Sequence, residues 1–108
     1  MDKQTDRYTY RVTWSEEDQE YVGLCAEFPS LSWLEETQVG ALSGIQSLVL
    51  ETVADLEKEN EKAPEALSTR DYSGKVLLRV TPEIHRLLVI QAAESKVSLN
   101  RYIASKLH

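Results

Sequence analysis

Two small α+β units, a β-β-β-α arrangement followed by β-α-α, are predicted by three features of this 108-residue sequence. Large apolar residues alternate with polar ones through the first third of the chain, the period of half-buried strands. A spacing of three and four residues follows, as on one face of a helix. The charge then changes sign near residue 70. Residues 1–69 hold five Lys and Arg against fifteen Asp and Glu, a net of −10, while residues 70–108 hold seven against three, a net of +4. An acidic front joined to a basic tail points to one cationic and one polyanionic partner. Solvated surface charge that only keeps the chain in solution is the plain alternative for the front half.

Tyr8, Tyr10, Val12 and Trp14 alternate with Thr9, Arg11 and Thr13 and predict a first strand. A polar loop over 15–19 leads to a second, with Val22, Leu24, Ala26 and Phe28 on one side and Tyr21, Gly23, Cys25 and Glu27 on the other. The two form an antiparallel hairpin that Pro29 ends. Residues 32–35 predict a short third strand, and Thr37 is the expected N-cap of a helix running to about Asn60. Leu42, Ile45, Val49, Val53 and Leu56 form its apolar face, placed to cover one side of the sheet. Residues 63–73 lose periodicity and gather Pro64, Ser68, Thr69 and Ser73, the marks of a linker. Beyond it a strand is expected over about 75–80, then a helix opened by Thr81-Pro82, a turn near 95–97 and a second helix capped by Ser98. Ile84, Leu87, Leu88 and Ala92 line the first of these helices; Leu99, Tyr102, Ile103 and Leu107 line the second.

The strand over 75–80 has no second strand in the tail to receive it. An isolated strand leaves a row of N–H and C=O groups unpaired, which favours pairing with another chain. The simplest partner is a second copy whose identical strand lies antiparallel across a two-fold axis, as a homodimer or a dimer of dimers. Val76, Leu78 and Val80 then face the helices and join Ile84, Leu88 and Ile103 in a shared dimer core. Lys75, Leu77 and Arg79 stand on the open face of the ribbon. A two-stranded ribbon fits the DNA major groove, where Arg79 can fork onto a guanine edge, Lys75 can do so less rigidly, and Leu77 can touch a thymine methyl. The start of the last helix, Ser98, Asn100 and Arg101, suits a DNA phosphate. The alternative is a strand packed on the front unit with solvated cations.

Val-Leu-Leu-Arg-Val, Thr-Pro-Glu-Ile-His and Val-Ser-Leu-Asn-Arg-Tyr-Ile, in this order over about residues 74–107, resemble the ribbon-helix-helix DNA-binding fold of Arc and MetJ type repressors. The resemblance implies base reading by Lys75, Leu77 and Arg79, with Leu77 standing where many members carry a polar residue. Tyr21-Val-Gly-Leu-Cys-Ala-Glu-Phe-Pro-Ser-Leu-Ser-Trp33, followed by Thr37 and a long amphipathic helix, resembles the HicB antitoxin family. That resemblance implies a front domain over 1–62, likened to a partial RNase H fold, that masks HicA, a small basic toxin cleaving messenger RNA. It further implies a tail over 74–108 that dimerises and represses the operon by binding operator DNA. Asp18-Gln19 replaces the usual hairpin glycine, and Gln38-Val39-Gly40 replaces an acidic first helical turn.

No catalytic residue, metal site or cofactor is expected. Glu16, Glu17, Asp18 and Glu20 cluster in one loop, where metal-assisted phosphoryl chemistry needs carboxylates converging from separate strands. His85 has no second ligand in view. The single cysteine, Cys25, lacks a cationic neighbour and reads as a small packed residue. Trp14 and Trp33 suit either the core or a protein interface. The amino-terminal residues lack an apolar run like a signal peptide, and no membrane span is expected, so a cytoplasmic protein is predicted. The rival functional reading is a repressor of this type without a toxin partner, the front unit sensing a ligand or only oligomerising; a structural assembly module is a third.

Overall fold

In the computed structural model, which describes residues 3–107, the first alternating run forms β1, Tyr10–Ser15, and the second β2, Glu20–Cys25. They pair antiparallel from Tyr10 opposite Cys25 to Ser15 opposite Glu20. The connecting turn manages without glycine although Gln19 has φ 54, in the left-handed region. Side chains hold it there. The Ser15 hydroxyl donates to Asp18 at 2.8 Å and accepts the Asp18 N–H, while Gln19 Nε2 donates to the Glu16 carbonyl at 2.8 Å. β3, Ser32–Glu35, pairs antiparallel with β2 and completes a sheet of order β1-β2-β3.

α2, Gln38–Lys58, lies across this sheet. Thr37 caps it by accepting the Gly40 N–H, and a Schellman pattern closes it, with Asn60 N–H on the Glu57 carbonyl, Glu61 N–H on Leu56, and Asn60 at φ 60. Ala41, Ile45, Val49 and Val53 are buried on the inner stripe. Leu42, expected there, is turned outward and more than a third exposed. Ala41 replaces it because the helix approaches the sheet closely at Gly23: a Cβ on Gly23 would stand 2.4 Å from the Ala41 carbonyl oxygen and 2.9 Å from Ile45 Cγ2. Fully burying a side chain such as Ile45 or Val49 contributes about 1.5–3 kcal/mol. Tyr8, Cys25 and Ala66 complete the core, with Tyr8 edge-on to Phe28 at 5.8 Å. Trp14, read as one of the alternating strand residues, is instead 45 % exposed at the hairpin end.

At 21 residues, with a mean hydropathy of 1.2 over its most apolar window, α2 is long and apolar enough to cross a bilayer by composition. That corrects the expectation that no segment reaches such a length. Its buried residues all lie on the stripe under the sheet, which makes it the core helix of this unit.

Residues 63–72 differ from a bare linker. Tyr8 OH donates to the Pro64 carbonyl at 2.7 Å, Gln4 Nε2 donates to the same oxygen, and Ala66 is buried. The Glu27 carboxylate accepts the Thr9 N–H at 2.8 Å, the Thr9 hydroxyl at 3.2 Å and the Leu67 N–H at 2.9 Å. It thereby ties β1 to the connecting segment, which belongs to the compact unit Met1–Tyr72. A short helix unforeseen from the sequence, α1, Lys3–Asp6, precedes β1. Thr5 within it is buried, and its carbonyl accepts the Tyr10 hydroxyl at 3.0 Å.

The second unit, Ser73–His108, holds α3, Pro82–Glu94, and α4, Leu99–Lys106. Thr81 caps α3 through the Ile84 N–H with Pro82 in the first turn, and Ser98 caps α4 through the Arg101 N–H at 3.1 Å. Between them Lys96 takes φ 59, while its N–H and that of Val97 reach back to the Ala93 and Ala92 carbonyls. Residues 75–80 form no strand within the chain. They carry no ladder to any described residue, because the sheet is complete with β1–β3 and the second unit supplies no other extended segment.

Burial holds the Tyr10 hydroxyl up at about 12, with the Cys25 and Glu27 charges adding to it. Burial alone would raise the Glu27 carboxyl too, but the Leu67 and Thr9 N–H groups outweigh it and bring it below its ordinary 4.5. A lowered folded value stabilises above the unfolded pKa and is lost as pH falls through the folded one. We expect Glu27→Gln to lose stability at pH 7 and to flatten the decline below pH 4.5, read by urea denaturation at stepped pH. Gly23→Ala should cost about 1–3 kcal/mol by forcing α2 off the sheet, measured in the same titration at pH 7.

Candidate nucleic-acid interface

The tail unit buries one hydrophobic side chain, Ala92, among its described residues. Leu88, Val97, Leu99, Tyr102 and Ile103 are partly covered, but most of its large apolar groups face outward: Val76 and Leu77 are each 81 % exposed, and Leu78, Val80, Ile84, Leu87, Val89, Ile90 and Leu107 all lie between 47 % and 69 %. A segment without a ladder therefore runs beside two helices that cover each other only in part. Between segment and helices lies an open groove of about 950 Å³. Val76, Leu78, Val80, Leu88 and Ile103, five of the expected dimer-core residues, line it; Ile84 is half exposed and lies outside the lining.

Lys75, Leu77 and Arg79, expected on the opposite face of a ribbon, border the same groove in the single chain. Without a ladder the segment has no fixed pleat to sort its side chains onto two faces. All three are exposed. At the start of α4, Ser98 and Arg101 are exposed, and Asn100 is exposed at the groove margin. The Ser98 hydroxyl already holds the Arg101 N–H, so the first-turn amides without a partner among the described residues are those of Leu99 and Asn100. Tyr102 OH donates to Gln91 at 2.9 Å and locks α4 to α3, and Lys106 lies 5.4 Å over the Tyr102 ring.

The sequence reading missed Val89 and Ile90. The signal was present in Leu87-Leu-Val-Ile90, since four consecutive apolar residues on a helix cannot all lie on one face. His85 borders the groove and is exposed, with no metal-binding group of three or more ligands among the described residues. Cys25 lies far from chemistry of any kind in the front core, its thiol pushed up by burial with the Glu27 carboxylate beside it.

Residues 55–107 match the HicB family. The match supports HicB membership, and it runs from the last turn of α2 through the connecting segment and both tail helices. The front motif that carried the sequence resemblance, residues 21–37, lies outside the HicB match. No curated protein and no solved structure matches the chain.

Ser98→Ala should unsettle α4 by about 1 kcal/mol, because the Arg101 N–H loses its acceptor. The expected sign is reduced helical ellipticity with an earlier thermal loss of the tail signal.

Proposed function

We propose that this chain is the antitoxin of a type II toxin-antitoxin pair: it neutralises a HicA-like toxin that cleaves messenger RNA and represses its own operon. In this reading the tail is a ribbon-helix-helix module. Two copies pair residues 75–80 into an antiparallel ribbon, the six dimer-core residues close together, and Lys75, Leu77 and Arg79 are sorted onto the outer face to read bases. The front unit, likened to a partial RNase H fold, holds the basic toxin. The protein acts in the cytoplasm by binding alone and carries no catalytic step.

One observation carries the reading: a basic segment with no ladder and two helices with much of their apolar surface uncovered occupy one small unit, and a second copy would satisfy both deficits at once. The HicB match over that region supports it. The net charge of +4 over residues 70–108 supplies the phosphate attraction that operator binding needs.

Mobility shift with the chain's own promoter, with and without the short basic protein encoded beside it, is the test. A retarded band that changes when the basic protein is added is expected; growth rescue on co-expression is the companion outcome. A shift without any association to the neighbour would leave a repressor lacking a toxin. Arg79→Ala should weaken operator binding by roughly tenfold or more, the loss of a base contact at about 1–3 kcal/mol, and relax base preference, whereas Lys96→Ala should change little. Equal weakening on random DNA would reduce the ribbon to plain electrostatic attraction.

A further inference from the structure

The hairpin end of the front sheet carries a repeated arrangement. Trp14 Nε1 donates to Glu16 at 2.7 Å, and Trp33 Nε1 donates to Glu35 at 3.1 Å, each a tryptophan bonded to the carboxylate two residues on. The strand register joins the two couples. Trp14 stands opposite Tyr21, Tyr21 opposite Glu35, and Trp33 lies two residue pairs further in, opposite Gly23. The Trp14 and Tyr21 rings meet edge-on at 5.1 Å. Trp33 rests on α2 at Gly44, where a Cβ would collide with its indole. Both tryptophans nonetheless keep more than a third of their surface in solvent, Trp14 at 45 % and Trp33 at 38 %.

The surrounding charge is of one sign. From residue 12 to residue 57 the sequence has no Lys or Arg, and Glu16, Glu17, Asp18, Glu20, Glu35 and Glu36 all fall at this end of the sheet. Exposed tryptophan is costly to keep in water and is concentrated at protein contacts. A ring face beside a carboxylate suits one side chain above others. A guanidinium can stack on the ring while its fork donates to the carboxylate, which a lysine ammonium cannot match with two parallel bonds. Each carboxylate spends one acceptor on the indole and has further acceptor capacity.

We propose that Trp14–Glu16 and Trp33–Glu35 are two arginine seats on a docking surface for a basic protein. The inference rests on the antitoxin reading and assigns the toxin's contact to these residues. The test titrates the full-length chain with the neighbouring basic protein by calorimetry, comparing wild type, Glu16→Gln, Glu35→Gln, Trp14→Leu and, as a distant charge control on α2, Glu57→Gln. Circular dichroism establishes that each variant keeps its fold, and the Glu→Gln pair retains an acceptor for the indole N–H. Glu16→Gln and Glu35→Gln should each weaken binding about tenfold, the scale of a hydrogen bond to a charged group, with Glu57→Gln near wild type. Wild type that fails to bind would strike down the antitoxin reading itself. Wild type that binds while all three hairpin-end variants bind equally well, or while Glu57→Gln weakens it just as much, would overturn the arginine seats alone. A change in the chain's own sedimentation on Trp14→Leu would make the surface a self-contact and overturn them too.

Discussion

Water sets the terms for the tail unit. Below about 40 residues a chain segment needs a disulfide, a metal or another subunit to hold its fold, and Ser73–His108 contains no cysteine and buries Ala92 alone among its described hydrophobic residues. α3 carries exposed apolar groups on more than one face, so α4 alone does not dry it. The backbone of 75–80 adds a second debt: apart from the Lys75 N–H, which the Ser73 hydroxyl accepts at 3.1 Å, its N–H and C=O groups have no ladder and need water or another strand. Local signals are nevertheless well formed: Thr81 and Ser98 cap their helices, and the turn between them closes two carbonyls despite a lysine in a left-handed position. The helices are thus specified locally, while much of their apolar surface stays in solvent within the single chain.

The front unit stands in contrast because its deficits are met internally. One glycine, Gly23, lets α2 approach the sheet closely enough for Ala41, Ile45 and Val49 to be fully shielded. Glu27 then fastens the segment leaving α2 back onto β1, exchanging water for three nitrogen and oxygen donors. Among what this unit leaves in solvent, beside aliphatic residues such as Val39 and Leu50, is an anionic end with half-exposed indoles. The molecule therefore combines a unit that is complete but presents an unpartnered acidic surface with a unit that is incomplete and basic.

Much of this was legible in the sequence where periodicity is strict. β3 falls at the expected residues, and Thr37, Thr81 and Ser98 all cap the helices they were expected to cap, because one side chain and one amide decide each case. Leu42 and Ala41 exchanged roles because the closeness of helix to sheet depends on Gly23, eighteen or more residues away, and a helical wheel contains no such distance. The segment 63–72 looked like a linker because its burial runs through single atoms, the Pro64 carbonyl and the Leu67 amide, which have no hydrophobic period. Trp14 followed the alternation of β1 in sequence yet lies at the hairpin end, where pattern no longer means cover. The strand expected over 75–80 does not form in the single chain, where those residues carry no ladder to any described residue.

The placement of the two tryptophans has an optical consequence. Both belong to the front sheet and the tail unit has none, so indole emission reports the melting of one unit and is blind to the other, whose fate must be followed through its helical ellipticity. If the two signals part company on heating, the chain does not melt as one cooperative body, and a single midpoint taken from fluorescence describes only its acidic half.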